Sequence, residues 1–208
     1  MTPSRLTRHN LGIRAEPRQR DTVKPLELFF DLVFVLGFTQ CSALMAAEPS
    51  WLGLLRGGMA LALLWWAWAG YAWLTSVIDP EEGSVRIVMF AAMSALVVAA
   101  LAVPESFGAR GLTFALAYGV VRLAHVALFL VPGRDDAGLR RTVLEFGTTS
   151  VVAIALLVAG SFLDPSAQTA LWALAIVTDL AGGLIGIGGW SLMVFHGQPL
   201  TQMLLMLM

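Results

Sequence analysis

Six ionisable residues stand inside long apolar stretches of the sequence, and their side chains are the ones that could do chemistry. An ionisable group in a lipid bilayer costs about 2.5–3.5 kcal/mol on insertion scales, so each one needs a partner, an aqueous cavity or a function. Residues three or four positions apart share one face of a helix. Glu27 therefore shares a face with Asp31, and Arg122 shares a face with His125. The six residues are Glu27, Asp31, Arg122, His125, Glu145 and Asp179.

We predict that four of these residues meet in one polar site in the cytoplasmic half of the membrane: Asp31, Arg122, His125 and Asp179. Three further residues of the first apolar run are candidates for the same ion or substrate pathway, namely Glu27, Thr39 and Gln40. Such a site would bind a small ion or relay a proton, because the charge of an imidazole changes near neutral pH.

A structural interpretation explains the same residues. Arg122 would pair with Asp31 or Asp179 and lock two helices together, since opposite charges at similar depth neutralise each other. The sequence leaves both interpretations open.

The composition excludes several classes of protein. Of the 208 residues, 58% are apolar and only 13% are charged, and the mean hydropathy is +0.77, which exceeds what a soluble domain carries. The net charge of -1 leaves no basic surface for nucleic acid. The single cysteine, Cys41, excludes an internal disulfide framework and a multi-cysteine metal site. A polytopic membrane protein remains.

Six apolar runs are long enough to cross a bilayer, which takes about 20 helical residues. Proline, glycine and acidic residues separate them, and backbone in lipid must satisfy its own hydrogen bonds, so we predict an all-α integral membrane bundle over residues 25–190. The predicted spans are residues 26–47, 52–77, 85–103, 112–131, 143–163 and 170–187.

The placement of the 13 Lys and Arg residues predicts the topology. Most of them fall in the N-terminal segment and in the loops that return to the same side, which favours a cytoplasmic N-terminus in the plasma membrane. Residues 1–24 are therefore predicted to be a cytoplasmic basic tail. Residues 191–208 are predicted to be an irregular apolar tail, as a truncation or a frameshift would leave.

Aromatic residues cluster in the second predicted span, and a membrane-anchoring belt is favoured over a ligand cage. The cluster consists of Trp65, Trp66, Trp68, Tyr71 and Trp73. Motifs of hydrolases and metalloenzymes, such as GxSxG, HExxH and Cys/His sets, do not occur in the sequence. We therefore expect no enzymatic activity, no cofactor and no metal.

Three motifs resemble the bacterial low temperature requirement A family. They are Pro25-Leu-Glu-Leu-Phe-Phe-Asp-Leu-Val-Phe-Val35 followed by Thr39-Gln40, Trp65-Trp-Ala-Trp-Ala-Gly-Tyr-Ala-Trp-Leu-Thr75, and Arg122-Leu-Ala-His125. The resemblance covers about residues 22–185 and implies a multi-pass membrane protein without assigning it a biochemical activity. The resemblance implies a full chain nearly twice this length. The protein partner of these helices would therefore be a second copy of the chain or a missing second half.

The first motif is also similar to the first helix of endolysosomal-type potassium channels, which lines their pore. This similarity implies passage of a small ion or solute through a transporter-like or channel-like protein in the lipid bilayer. The alternative is a non-transporting membrane protein, a stress-response or scaffold component in which the charge cluster is structural.

Overall fold

The structure, a computed structural model, describes residues 25–77, 83–130 and 137–194, and the side chains of residues 28–75, 83, 85–129 and 143–182. Throughout these ranges the regular structure is helical and contains no strand, which confirms the predicted all-α class. The elements are α1 (Pro25–Ala47), α2 (Trp51–Val77), α3 (Gly83–Ala102), a short 3-10 helix (Val103–Glu105), α4 (Gly111–Leu130), α5 (Ala137–Gly160) and α6 (Pro165–Val194).

Five helical segments are long and apolar enough to cross a membrane: Leu28–Ala47, Trp51–Thr75, Val85–Glu105, Gly111–Phe129 and Val143–Gly160. The sixth predicted span, 170–187, lies within the 30-residue helix α6, which is not among these five. Its first turns are polar, with Ser166, Gln168 and Thr169, and it carries Asp179 further along. These residues lower the mean hydropathy of its described part.

The helix ends follow local capping chemistry. The hydroxyl of Ser50 accepts the backbone N–H of Gly53 at 3.1 Å and caps α2. Asp164 caps α6 by accepting the backbone N–H groups of Ser166 at 3.0 Å and Ala167 at 3.2 Å. The backbone N–H groups of Ala167 and Ser166 thereby lower the pKa of the Asp164 carboxyl below its usual value.

The helices pack in sequential pairs, with α1 along α2, α3 along α4, and α5 along α6, while α4 also contacts α5. A close approach between α5 and α6 depends on Gly182, because a Cβ there would overlap the hydroxyl of Thr149. This packing brings α4, α5 and α6 together around one interior region. Polar side chains of all three helices lie there.

Two predicted tails lie mostly outside the described residues. Residues 1–24 are not part of the description, and α6 continues through Val194, so residues 191–194 are helical although an irregular tail was predicted there. Residues 195–208 are again outside it.

Candidate functional site

A buried ion pair joins α4 to α6. Nη2 of Arg122 lies 2.7 Å from Oδ1 of Asp179, and both side chains are only 1% exposed. Removing either partner would leave an uncompensated buried charge, which is far more costly than the pair itself. Of the two predicted partners of Arg122, the structure therefore pairs it with Asp179.

Two hydroxyl groups donate hydrogen bonds to the carboxylate of Asp179. The Tyr118 hydroxyl donates to Oδ2 at 2.7 Å, and the Ser150 hydroxyl donates to Oδ1 at 2.9 Å. Nη2 of Arg122 also donates to Oγ of Ser150 at 3.0 Å. Both carboxylate oxygens of Asp179 thus accept hydrogen bonds, as a buried carboxylate requires.

His125 is the second contact of the guanidinium. Its Nδ1 lies 3.2 Å from Nη1 of Arg122. A guanidinium can only donate, so Nδ1 accepts and the imidazole carries its hydrogen on Nε2. We call Tyr118, Arg122, His125, Ser150 and Asp179 the charge network.

Aromatic rings enclose the imidazole of His125. Its ring centroid lies 5.2 Å from Tyr71, 4.9 Å from Phe129 and 5.9 Å from Phe146. The ring rests directly on α2 at Gly70, where a Cβ would lie 2.5 Å from Cε1 of His125. A glycine is needed at position 70 for this contact.

Three buried nitrogen atoms at the charge network make no hydrogen bond with any part of the chain that the structure describes. They are Nε of Arg122, Nε2 of His125 and Nε1 of Trp66. Cζ of Arg122 lies over the ring of Trp66, 5.9 Å from its centroid, and over that of Phe146 at 4.8 Å. Trp66 therefore contacts the charge network, and sequence reasoning, which placed it in a membrane belt, missed this role.

The other aromatic residues of α2 divide between inside and outside. Tyr71 is 1% exposed and donates its hydroxyl to the carbonyl of Val121 at 2.9 Å, so it lies in the core instead of in a belt. Trp65 and Trp73 have exposed rings, 38% and 44% respectively, as a belt requires.

The predicted site residues of α1 lie apart from the charge network. Asp31 makes no ion pair with Arg122, and its Oδ1 instead accepts the indole N–H of Trp68 at 2.8 Å. Thr39 is exposed and donates back to the carbonyl of Leu36 in its own helix at 2.6 Å. The position of Asp31 corrects the predicted meeting of four residues: three of them come together, and Asp31 does not.

The two remaining candidates of α1 add no contact to the site. Gln40 is half-buried and makes no hydrogen bond with the described residues, and Glu27 lies in the first turn of α1, with its side chain outside the description. Cys41 is free and buried. Among the side chains that can be described, no group of three or more His, Cys, Asp or Glu residues is arranged to hold a metal ion.

Comparison with known proteins places the chain in a family. A family model described as "Bacterial low temperature requirement A protein (LtrA)" matches residues 22–203. The chain belongs to the LtrA family. The LtrA match includes the parts of α4, α5 and α6 that carry the charge network.

One curated relative is an uncharacterized protein of Rhizobium meliloti (strain 1021). It is 29% identical over 177 residues, which cover 84% of this chain and 43% of the relative. The chain thus spans less than half the length of this curated relative. No solved structure matches the chain.

Proposed function

We propose that this LtrA-family membrane protein passes a small ion or solute across the membrane and that the charge network is part of the path. The observation that carries the proposal is the set of three buried N–H groups without a partner, on Arg122, His125 and Trp66. Leaving a buried donor unpaired costs about 1–3 kcal/mol. A purely structural lock gains nothing from that cost, whereas a binding site offers these donors to its ligand.

A second candidate is a non-transporting scaffold or stress-response protein in which the network locks α4, α5 and α6 together. The closed geometry favours it, because Arg122 and Asp179 are paired at 2.7 Å and Tyr118 and Ser150 satisfy the carboxylate. Such a network fixes helix register without needing a ligand.

Flux measurements in proteoliposomes separate the two candidates. The purified chain would be reconstituted beside empty vesicles, and the uptake of potassium, protons, nitrate and glycerol would be measured. The longer Rhizobium relative would be reconstituted in parallel. It tests the case in which transport requires the part of the relative that this chain does not match. Flux of at least one probe above empty vesicles supports transport. No flux through either protein contradicts it and leaves the scaffold candidate.

We also propose that the protein lies in the plasma membrane with its N-terminus in the cytoplasm. The concentration of Lys and Arg in the N-terminal segment and the loops on its side supports this orientation. Antibody labelling of an N-terminal epitope tag tests this orientation. We expect labelling only after the cells are permeabilised. An epitope reached in intact cells would show the opposite orientation.

We propose that the helices pack against a second protein unit. This unit is either another copy of the chain or a segment equivalent to the additional part of the longer relative. The share of the relative that the chain covers, 43%, supports this, as does the exposed face of α1 that carries Asp31 and Thr39. Disulfide crosslinking of Val35→Cys in a Cys41→Ala background tests a homodimer. Val35 is 55% exposed on α1, and Val177, 63% exposed on α6, is the control position. No crosslinked dimer at Val35→Cys, or equal crosslinking at Val35→Cys and Val177→Cys, would contradict a homodimer through α1.

A further inference from the structure

Resting on the proposed function, we propose that residues Val103–Arg110, which join α3 to α4, form a lid over one end of the solute path. We call this segment the lid. Arg56 and Gln168 hold it closed, and Phe107 is the side chain that it inserts into the bundle. The flux proposal leaves open where a solute enters, and the lid names that entrance.

The lid has a buried side and an exposed side. Ser106 is fully buried and Phe107 is 9% exposed, whereas Glu105 and Arg110 are about half exposed and pair with each other at 3.5 Å. The lid also closes on itself, because the backbone N–H of Arg110 donates to the carbonyl of Glu105 and that of Ser106 to the carbonyl of Val103, both at 3.0 Å. A segment that satisfies its own backbone in this way can move as one unit.

Arg56 connects the lid to the start of α6. Its Cζ lies over the ring of Phe107, 5.3 Å from the centroid. Its Nε donates to Oγ1 of Thr169 and its Nη2 to the carbonyl of Pro165, both at 3.3 Å. Nη1 pairs with Oε2 of Glu48 at 3.4 Å. One side chain of α2 thus holds the lid beside α6.

Gln168 of α6 is the second latch. Its Nε2 donates to the carbonyl of Ser106 at 2.8 Å. The hydroxyl of Ser106 is also buried, and it makes no hydrogen bond with the residues that the structure describes. Opening the lid would exchange the latch bonds for bonds to water at little net cost, and water would also reach this hydroxyl.

A series of aromatic rings connects the lid to the charge network. Phe107 lies 4.7 Å from Trp172, Trp172 lies 5.2 Å from Phe114, and Phe114 lies 6.4 Å from Tyr118, measured between ring centroids. The hydroxyl of Tyr118 then donates to Asp179 at 2.7 Å. The three inner rings are fully buried, so withdrawal of Phe107 would expose the first member of a continuous series that ends at the network.

The other side of the network is closed by helices. The imidazole of His125 packs there against Tyr71 of α2, Phe129 of α4 and Phe146 of α5. Opening this side would separate whole helices and expose apolar rings, which costs more than exchanging hydrogen bonds. The lid is a short connecting segment of the kind that opens and closes binding sites.

Thiol labelling of Ser106→Cys in a Cys41→Ala background tests the lid. The probe is a water-soluble maleimide added to the detergent-purified full chain, well below the unfolding midpoint of each variant. Ser106 is fully buried, and its hydroxyl has no bond that a cysteine would lose. We expect Arg56→Gln to raise the labelling rate about tenfold or more, because a hydrogen bond to a charged group shifts an opening equilibrium by about this factor.

Arg110→Gln is the matched control. It makes the same substitution on the lid itself and removes only the exposed pair with Glu105, so we expect an unchanged labelling rate. Gln168→Leu removes the second latch and should raise the rate as well, which keeps the proposal testable should Arg56→Gln fail to fold. A rate that stays at the background value in both latch variants, or that rises equally in Arg110→Gln, overturns the lid.

The two proposals fail separately. Faster labelling in the latch variants without flux of any probe in proteoliposomes keeps the lid and removes transport. Flux through the wild-type chain without faster labelling in either latch variant keeps transport and overturns the lid.

Discussion

Replacing Gly70 by alanine should push His125 out of its place in the charge network. The added Cβ would lie 2.5 Å from Cε1 and 3.0 Å from Nδ1 of His125. The ring would have to move by about 1 Å to reach ordinary carbon contact. Overpacking of this kind costs about 1–3 kcal/mol. The movement would also disturb the contact between His125 Nδ1 and Arg122 Nη1, now 3.2 Å.

Gly58→Ala on the same helix is the matched control. A Cβ at Gly58 meets nothing within 4 Å, so this variant gains only the helix propensity of alanine, about 1 kcal/mol. The difference between the two variants therefore isolates the clash. For a chain of this length, a clash of about 1–3 kcal/mol lowers the unfolding midpoint of Gly70→Ala by about 2–12 °C relative to Gly58→Ala.

Thermal unfolding of both variants in the same detergent measures this difference. Equal unfolding midpoints for Gly70→Ala and Gly58→Ala would refute the contact between His125 and α2, and with it the enclosed geometry of the network.

Three further outcomes follow from named contacts. Asp179→Leu should destabilise the chain by about 3–5 kcal/mol, while Arg122→Met combined with it should recover most of that loss, because removing both charges leaves none unpaired. Equal unfolding midpoints for the single and double variants would count against the pair. Asp164 has a lowered pKa when folded, so its cap is effective above the unfolded pKa of about 3.9 and is lost as the pH falls through the folded value. Between about pH 5 and pH 3 the unfolding midpoint should fall more in wild type than in Asp164→Asn, and parallel curves would argue against the cap. Trp68→Phe keeps the stacking on Phe34 and removes the bond to Asp31, and a loss of about 1 kcal/mol is expected in chemical denaturation, with no loss being the contrary result.

Helix positions could be predicted because the length and hydropathy of an apolar run depend on local sequence. Asp164-Pro165 lies in the predicted break before the sixth span, and α6 begins at Pro165 with Asp164 as its cap, five residues before the predicted start at 170. Helix α5 begins at Ala137, before the predicted start at 143. The added turns are polar, so they form helix without contributing to an apolar span.

The rotation of each helix could not be predicted, and rotation decides which charges meet. The spacing of Arg122 and His125 placed both on one face of α4, and the structure brings them together. Asp31 and Asp179 were equal candidates as partners of Arg122, since the sequence does not say how α1 and α6 turn toward α4. In the structure, Arg122 forms its ion pair with Asp179, and Asp31 accepts a hydrogen bond from Trp68.

Neutral polar members of the network gave no signal in the sequence. Ser150 looks like Ser94, whose hydroxyl donates to the carbonyl of Phe90 in its own helix, yet Ser150 binds Asp179. Tyr118 stands one turn before Arg122, and this spacing was the only available hint of its role. Trp66 was assigned to a belt because tryptophan is common at membrane interfaces, whereas packing places it over the guanidinium.

The most direct test of the transport site is a paired measurement of fold and flux on Arg122→Lys. Lysine keeps the charge that Asp179 requires, but it presents one ammonium in place of the planar donors of arginine. Unfolding midpoint and proteoliposome flux would be measured on the same preparation, beside wild type. We expect a wild-type flux that Arg122→Lys loses while its unfolding midpoint stays within a few degrees of wild type. Flux that is undiminished in Arg122→Lys, with the same midpoint, would contradict a role of the charge network in the path.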